Sequence, residues 1–153
     1  IPIVAAWLAL PYLAATHASG PFALPSFAHA SVPWEGARGA AAIVAVLCLA
    51  ATAKCWARMG KDWRLDVSTD APTELITDGL FRHIRHPIYA FSILLMICTA
   101  VVVPTPPMVL VAAVHVALMN LKARNEERHL MATQGEAYAR YVARTGRFFP
   151  RRG

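Results

Sequence analysis

The chain has 153 residues, 57% of them hydrophobic and 16% charged, with a mean hydropathy of +0.44. Soluble domains carry about 25% charged and about 45–50% apolar residues, so composition excludes an ordinary water-soluble domain, and a disordered chain with it. Fifteen Lys and Arg against nine Asp and Glu give a net +6, and in so apolar a chain a basic excess reports membrane orientation rather than nucleic-acid binding.

In chain order, Ile1 to about Ala18 is apolar and reads as a first span, with Pro11 as a point of kinking. It lacks a basic leader and a cleavage site, so it is not read as a signal peptide. Ser19 to Trp34 is uncharged and rich in Pro, Ser, Ala and Phe, as in an interfacial loop or re-entrant segment. Gly39 to Ala53 is again uncharged. Arg38 and Lys54 can snorkel from its ends, which predicts a span over about 37–57. Ala41, Ala45 and Ala53 offer a small-residue face for a neighbouring helix. Cys48, Cys55 and Cys98 lie in apolar runs without a CxxC spacing. They read as small buried hydrophobes rather than as disulfides or a zinc site. Asp62, Asp66, Asp70 and Asp78 read as loop solvation and helix caps.

Pro87 to Leu121 is 35 residues without Asp, Glu, Lys or Arg. A single helix of that length would be about 52 Å long, against a hydrocarbon core of about 30 Å. Pro104-Thr105-Pro106-Pro107 interrupts it, so the prediction is a hairpin of two spans, about 87–103 and 107–121. Residues 121–134 form an amphipathic helix with Leu121, Leu130 and Met131 as its apolar positions. Gly135 ends that helix. Glu136 to Thr145 makes a second one, with Tyr138, Tyr141 and Val142 on one face. The fold class expected is therefore all-α integral membrane, about four transmembrane helices with a cytoplasmic helical C-terminal tail, in a single domain over 1–153. Fourteen of the fifteen Lys and Arg lie from Lys54 onward. The positive-inside rule then puts the 58–86 loop and the 122–153 tail in the cytoplasm.

The hairpin makes its two spans antiparallel neighbours. Arg85, His86 and Tyr89, where the third span begins, should therefore lie near Lys122, Arg124 and Glu126, where the fourth ends. Read singly, each piece has an ordinary alternative. Arg82 and Arg85 serve as topology anchors. His83 and His86 are spaced as metal ligands but lack a third. Pro87 is a helix start, and Glu126 pairs with Lys122 or Arg128 along its own helix. Tyr138 and Tyr141 pack. His115 is an intramembrane titratable group or a neutral His hydrogen-bonded between helices.

Taken together, Gly79-Leu80-Phe81, then Arg85-His86-Pro87-Ile88-Tyr89, an apolar hairpin, Glu126-Glu127 and Gly135-Glu136-Ala137-Tyr138-Ala139-Arg140-Tyr141 resemble one group. The order and spacing are similar to those of the isoprenylcysteine carboxyl methyltransferase and phospholipid methyltransferase family, over about residues 70–150. The resemblance implies an S-adenosylmethionine-dependent methyltransferase acting on a lipophilic acceptor: an isoprenylcysteine carboxylate, a phospholipid amine or a small thiol. It implies cofactor contacts from His86, Pro87, Ile88, Tyr89 and Glu126, from Thr73, Glu74, Leu75 and Ile76, and from Phe81, where the family often has Tyr. The cofactor's carboxylate needs a donor such as Arg85 or His86, and its positive charge an acceptor such as Glu126. A substrate-side cation precedes the Glu in the family; Lys122 has the spacing and Arg124 the residue type. Glu126, Glu127 or His83 would serve as base for an amine or thiol acceptor. No metal is expected. NADPH-dependent membrane sterol reductases carry a similar RHPxY element but are much larger; a reductase and a non-catalytic scaffold are the alternatives. The Ala/Arg-rich composition points to a bacterial source, and with the predicted spans to a multi-pass protein of its inner membrane.

Overall fold

The computed structural model describes residues 2–30, 32–60 and 75–151. Its regular structure is helical: α1 (Pro2–Thr16), α2 (Phe27–Ala30), α3 (Val32–Met59), a 3-10 turn (Gly79–Arg82), α4 (Pro87–Val102) and α5 (Pro106–Arg144). The chain resolves into two compact units, residues 1–49 with 92–118, and residues 50–91 with 119–153.

The helix boundaries follow local chemistry. The hydroxyl of Thr16 and the ring of His17 occupy the last carbonyls of α1, at Tyr12 and Leu13. That helix runs through Pro11 without interruption. Pro87 is the first residue of α4, where its missing N–H costs nothing. Between α4 and α5, buried Thr105 precedes Pro106 and its hydroxyl accepts from the Met108 N–H at 3.4 Å, so a capping Thr followed by Pro starts α5. α3 begins at Val32, five residues earlier than the uncharged run suggested. Glu35 lies in its first turn, where the helix dipole favours an acid. The expected loop over 19–34 is thus shorter, and it contains α2.

Two helices, α3 and α5, are long and apolar enough to cross a membrane. α1 and α4 are apolar but have only 15 and 16 residues. At 1.5 Å per residue they measure about 22–24 Å, short of a hydrocarbon core of about 30 Å. The buried stripe of α3 is Ala41, Cys48 and Cys55 at seven-residue spacing. It does not run through Ala53, which is exposed. All three cysteines are free and buried.

In the first unit, Trp7 Nε1 donates to Thr99 Oγ1 at 3.2 Å, and Ser92 Oγ lies 2.8 Å from His115 Nε2. His115 is therefore a helix-bridging histidine. In the second unit, α5 bends at Gly135 (φ 50°, ψ −118°), ending the first helical run where the sequence placed its end. Its inward stripe is Ala123, Tyr138 and Tyr141. Leu121 and Met131, expected on that face, point outward and are 55% and 43% exposed. The inward positions beside Ala123 are taken by Glu126 and Glu127, each with partners inside the protein.

Candidate functional site

The site lies within the second unit. Its floor is the sequence 79–89. Gly79 (φ 56°) opens the 3-10 turn, whose Phe81 is buried and accepts from the Tyr141 hydroxyl at 2.6 Å through its carbonyl. His83 caps that turn in helical conformation, and residues 84–86 then run beside residues 146–147. Ile84 and Gly146 form a parallel bridge, Arg85 N donates to Gly146 O at 2.8 Å, and His86 N donates to Arg147 O at 3.1 Å. The C-terminal segment thus clamps the backbone that carries His86.

Glu126 and Glu127 are neighbours on α5, about 100° apart around the helix, and they meet different partners. Glu126 accepts a hydrogen bond from the Tyr89 hydroxyl, and its Oε2 lies 3.5 Å from His86 Nδ1. The His86 and Tyr89 rings are parallel, 5.4 Å between centroids and 4° between planes. Lys122 Nζ stands 5.5 Å from the Tyr89 ring centroid, within cation–π range. Burial pushes the Glu126 carboxyl up. The contacts with His86 and Tyr89 and the positive charge of Lys122 outweigh it, and the net shift is downward, so this carboxylate is ionised at neutral pH.

Glu127 is held by two guanidiniums. Arg85 Nε donates at 3.0 Å, and Arg147 donates through Nε at 3.1 Å and Nη2 at 2.5 Å. Burial again raises this carboxyl, and the two arginines more than reverse it. Arg85 also donates to the carbonyls of Val142 and Thr145, so its Nε and Nη1 are engaged inside the protein. His86 sits between the two carboxylates. Its Nε2 is buried and 3.3 Å from Glu127 Oε1, but not aligned for a hydrogen bond. The Tyr138 hydroxyl is likewise buried without a hydrogen bond. Burial and the Glu127 charge push that phenol up to about 12.

His86, Tyr89, Lys122, Glu126 and Arg85 are thus gathered as the sequence suggested, with Glu127 beside them. Pro87 is buried beneath them; Leu75, Ile76 and Ile88 are half-buried. Arg124 faces elsewhere, onto a cavity of about 450 Å³ that Glu127, Arg128, Met131 and Arg147 also line. Asp78 precedes the 3-10 turn without capping it; its carboxylate instead binds Arg58. Thr73, Glu74, Asp62, Asp66 and Asp70 lie outside the described residues. Sequence reading missed Arg147 and the tilted approach of Phe148 to His86, 6.4 Å between ring centroids and 59° between planes. The available signal was Gly146 ahead of Arg-Phe-Phe-Pro: a Cβ at Gly146 would fall 1.7 Å from the Phe149 carbonyl oxygen, which marks a tight C-terminal turn.

Fold and site together define a class: an all-helical protein with membrane-length apolar helices, whose reactive side chains gather where apolar helix gives way to charged sequence. Within that class the chain belongs to the Isoprenylcysteine carboxyl methyltransferase (ICMT) family, a family of methyltransferases, which it matches over residues 41–132. It is also similar to the "Nickel-cobalt-cadmium resistance protein NccN" of Alcaligenes xylosoxydans xylosoxydans, with 29% identity over 119 residues, 77% of this chain and 54% of that protein. The chain spans about half the length of this curated relative.

Proposed function

We propose that this protein transfers a methyl group from S-adenosylmethionine to a lipophilic, membrane-associated acceptor. The observation that carries the reading is the Tyr89–Glu126–His86 cluster, in a chain whose family match spans all three residues. The donor set suits the cofactor. Glu126 offers an ionised carboxylate to its ammonium or ribose. The buried, unmatched Nε2 of His86 offers a nitrogen to one of its polar atoms, and the Tyr89 and His86 rings give a flat wall for its base. When bound, the cofactor supplies an electrophilic methyl on a sulfonium.

The protein's own residues supply position and field. Tyr89 and His86 orient Glu126. Arg85, Arg147 and Glu127 lock the 83–86 backbone to the C-terminal segment; we assign them positioning roles. Lys122 stands on the cofactor side of α5. Arg124, exposed beside Met131 at a cavity that Glu127 and Arg147 also line, is the better placed of the two cations to steer the acid group of an acceptor. Leu75, Ile76, Phe81, Pro87 and Ile88 complete the cofactor wall. All four apolar helices cross the bilayer, α1 and α4 in locally thinned lipid, with this site at the cytoplasmic face of a bacterial inner membrane.

The test is ligand-dependent melting of the full chain in detergent. S-adenosylhomocysteine should raise the melting temperature, and NADPH should not. Tyr89→Phe and Glu126→Gln should each weaken that binding about tenfold, the loss expected for one hydrogen bond to a charged group. Stabilisation by NADPH alone would make the protein a reductase, and a response to neither ligand would make it a scaffold.

A further inference from the structure

A second cavity, of about 380 Å³, lies away from the Tyr89–Glu126–His86 cluster, lined by Thr77, Arg82, His83, Tyr141 and Arg144. Three of its five lining side chains are basic, and no acid lines it among the described residues. The adjacent acid, Asp78, is already bound to Arg58 at 2.7 Å. Arg82 and Arg144 are exposed, and no described residue forms a salt bridge with either. The base of the cavity is rigid: Tyr141 is 4% exposed, and its hydroxyl is spent on the Phe81 carbonyl at 2.6 Å. That bond ties the last turns of α5, which bring Arg144, to the 3-10 turn that brings Arg82 and His83. Two guanidinium forks, an imidazole and the Thr77 hydroxyl therefore meet around one volume. Among the described residues these like charges have no counter-ion, an arrangement that an anion would relieve. A tetrahedral oxyanion suits two guanidinium forks better than a planar carboxylate suits them, because each fork can take two oxygens.

We propose that this cavity is a phosphate site, in which Arg82 and Arg144 hold a phosphate group from two sides, with Thr77 and His83 as further donors. The same chemistry is offered by a phospholipid headgroup and by a soluble phosphate ester. The proposal does not rest on the methyl-transfer reading, because no hydrogen bond, ion pair or ring contact among the described residues joins a lining side chain to Tyr89, Glu126 or His86.

The test uses the full chain in neutral detergent and two probes. Inorganic phosphate is titrated at constant ionic strength and followed by calorimetry. Phosphatidate retention, against phosphatidylcholine, is read by native mass spectrometry. At least one probe should bind. Arg82→Gln/Arg144→Gln should weaken it about tenfold or more, as loss of charge-assisted hydrogen bonds requires. Arg140→Gln/Arg151→Gln removes the same charge outside the cavity and should leave binding unchanged. Arg82→Lys/Arg144→Lys keeps the charge and should bind more weakly than wild type. Unchanged melting of each variant without probe shows that the fold is intact. Binding of inorganic phosphate identifies a soluble ester, and retention of phosphatidate alone identifies a headgroup. If neither probe binds, or if both Gln pairs weaken binding equally, the proposal is wrong.

Discussion

Adjacent carboxylates on one helix do different work here because one residue of helix turns a side chain through about 100°. Glu127 faces two guanidiniums and Glu126 faces a phenol and an imidazole. Arg147→Met leaves Glu127 with Arg85 alone and should lower stability by about 2 kcal/mol, the cost of a hydrogen bond to a charged partner, seen as a lower melting temperature. The pH dependence follows from the direction of the shift. Folding lowers the Glu127 carboxyl below its unfolded value of about 4.3. Its stabilisation is therefore complete above that pH and is lost as pH falls through the lower folded value. Wild-type melting should drop on acidification below about pH 4.3. Glu127→Gln, less stable at neutrality, should show a shallower drop; an equally steep one would mean that Glu127 does not titrate with unfolding. The pairing of Glu127 with Arg147 was not legible in sequence. The two are 20 residues apart across the bend at Gly135, and no helical or strand period links them.

Among the elements, what could be read were those set by a local rule. The α4–α5 turn follows from a Pro cluster inside an uncharged run, and Thr105 before Pro106 fixes where α5 starts. The bend follows from Gly135, whose φ of 50° with ψ of −118° is open to glycine and strained for any L side chain. Gly135→Ala should cost about 1–3 kcal/mol and slacken the Tyr141–Phe81 bond. Hydrogen exchange at the amides of 79–86 should then speed up. What could not be read was the pairing of 83–86 with 146–147, because so short a bridge leaves no alternation. Its dependence on Gly146 is testable. A Cβ there would overlap the Phe149 carbonyl oxygen at 1.7 Å, so Gly146→Ala should release the C-terminal turn and expose 146–151 to proteolysis. The helix face was misread at Leu121 and Met131 for a related reason. Amphipathicity assumes that charges face water, whereas the charges at 126 and 127 are satisfied internally.

At the scale of the whole molecule, the exposed apolar surface is what a bilayer must account for. Ile43, Val46, Leu47 and Leu110 are each more than 60% exposed, on the two helices long enough to span, and water does not tolerate such stripes on a soluble chain. How many helices cross decides where the charged segments lie. If α1, α3, α4 and α5 all cross, residue 35 faces the side opposite to residues 77 and 140. If only α3 and α5 cross, residues 35 and 140 share a side and residue 77 faces the other. The native cysteines are buried, so single labels at Glu35→Cys, Thr77→Cys and Arg140→Cys can be read with a membrane-impermeant maleimide in intact cells. The four-span arrangement requires labelling at 35 from outside, and at 77 and 140 only after permeabilisation. Labelling at 35 and 140 alike, with 77 protected or reversed, would reduce the protein to two crossings. It would also separate residue 77 from residue 140 across the bilayer, whereas Thr77 and Arg144 line one cavity; four crossings keep both on one side and are therefore the expected result.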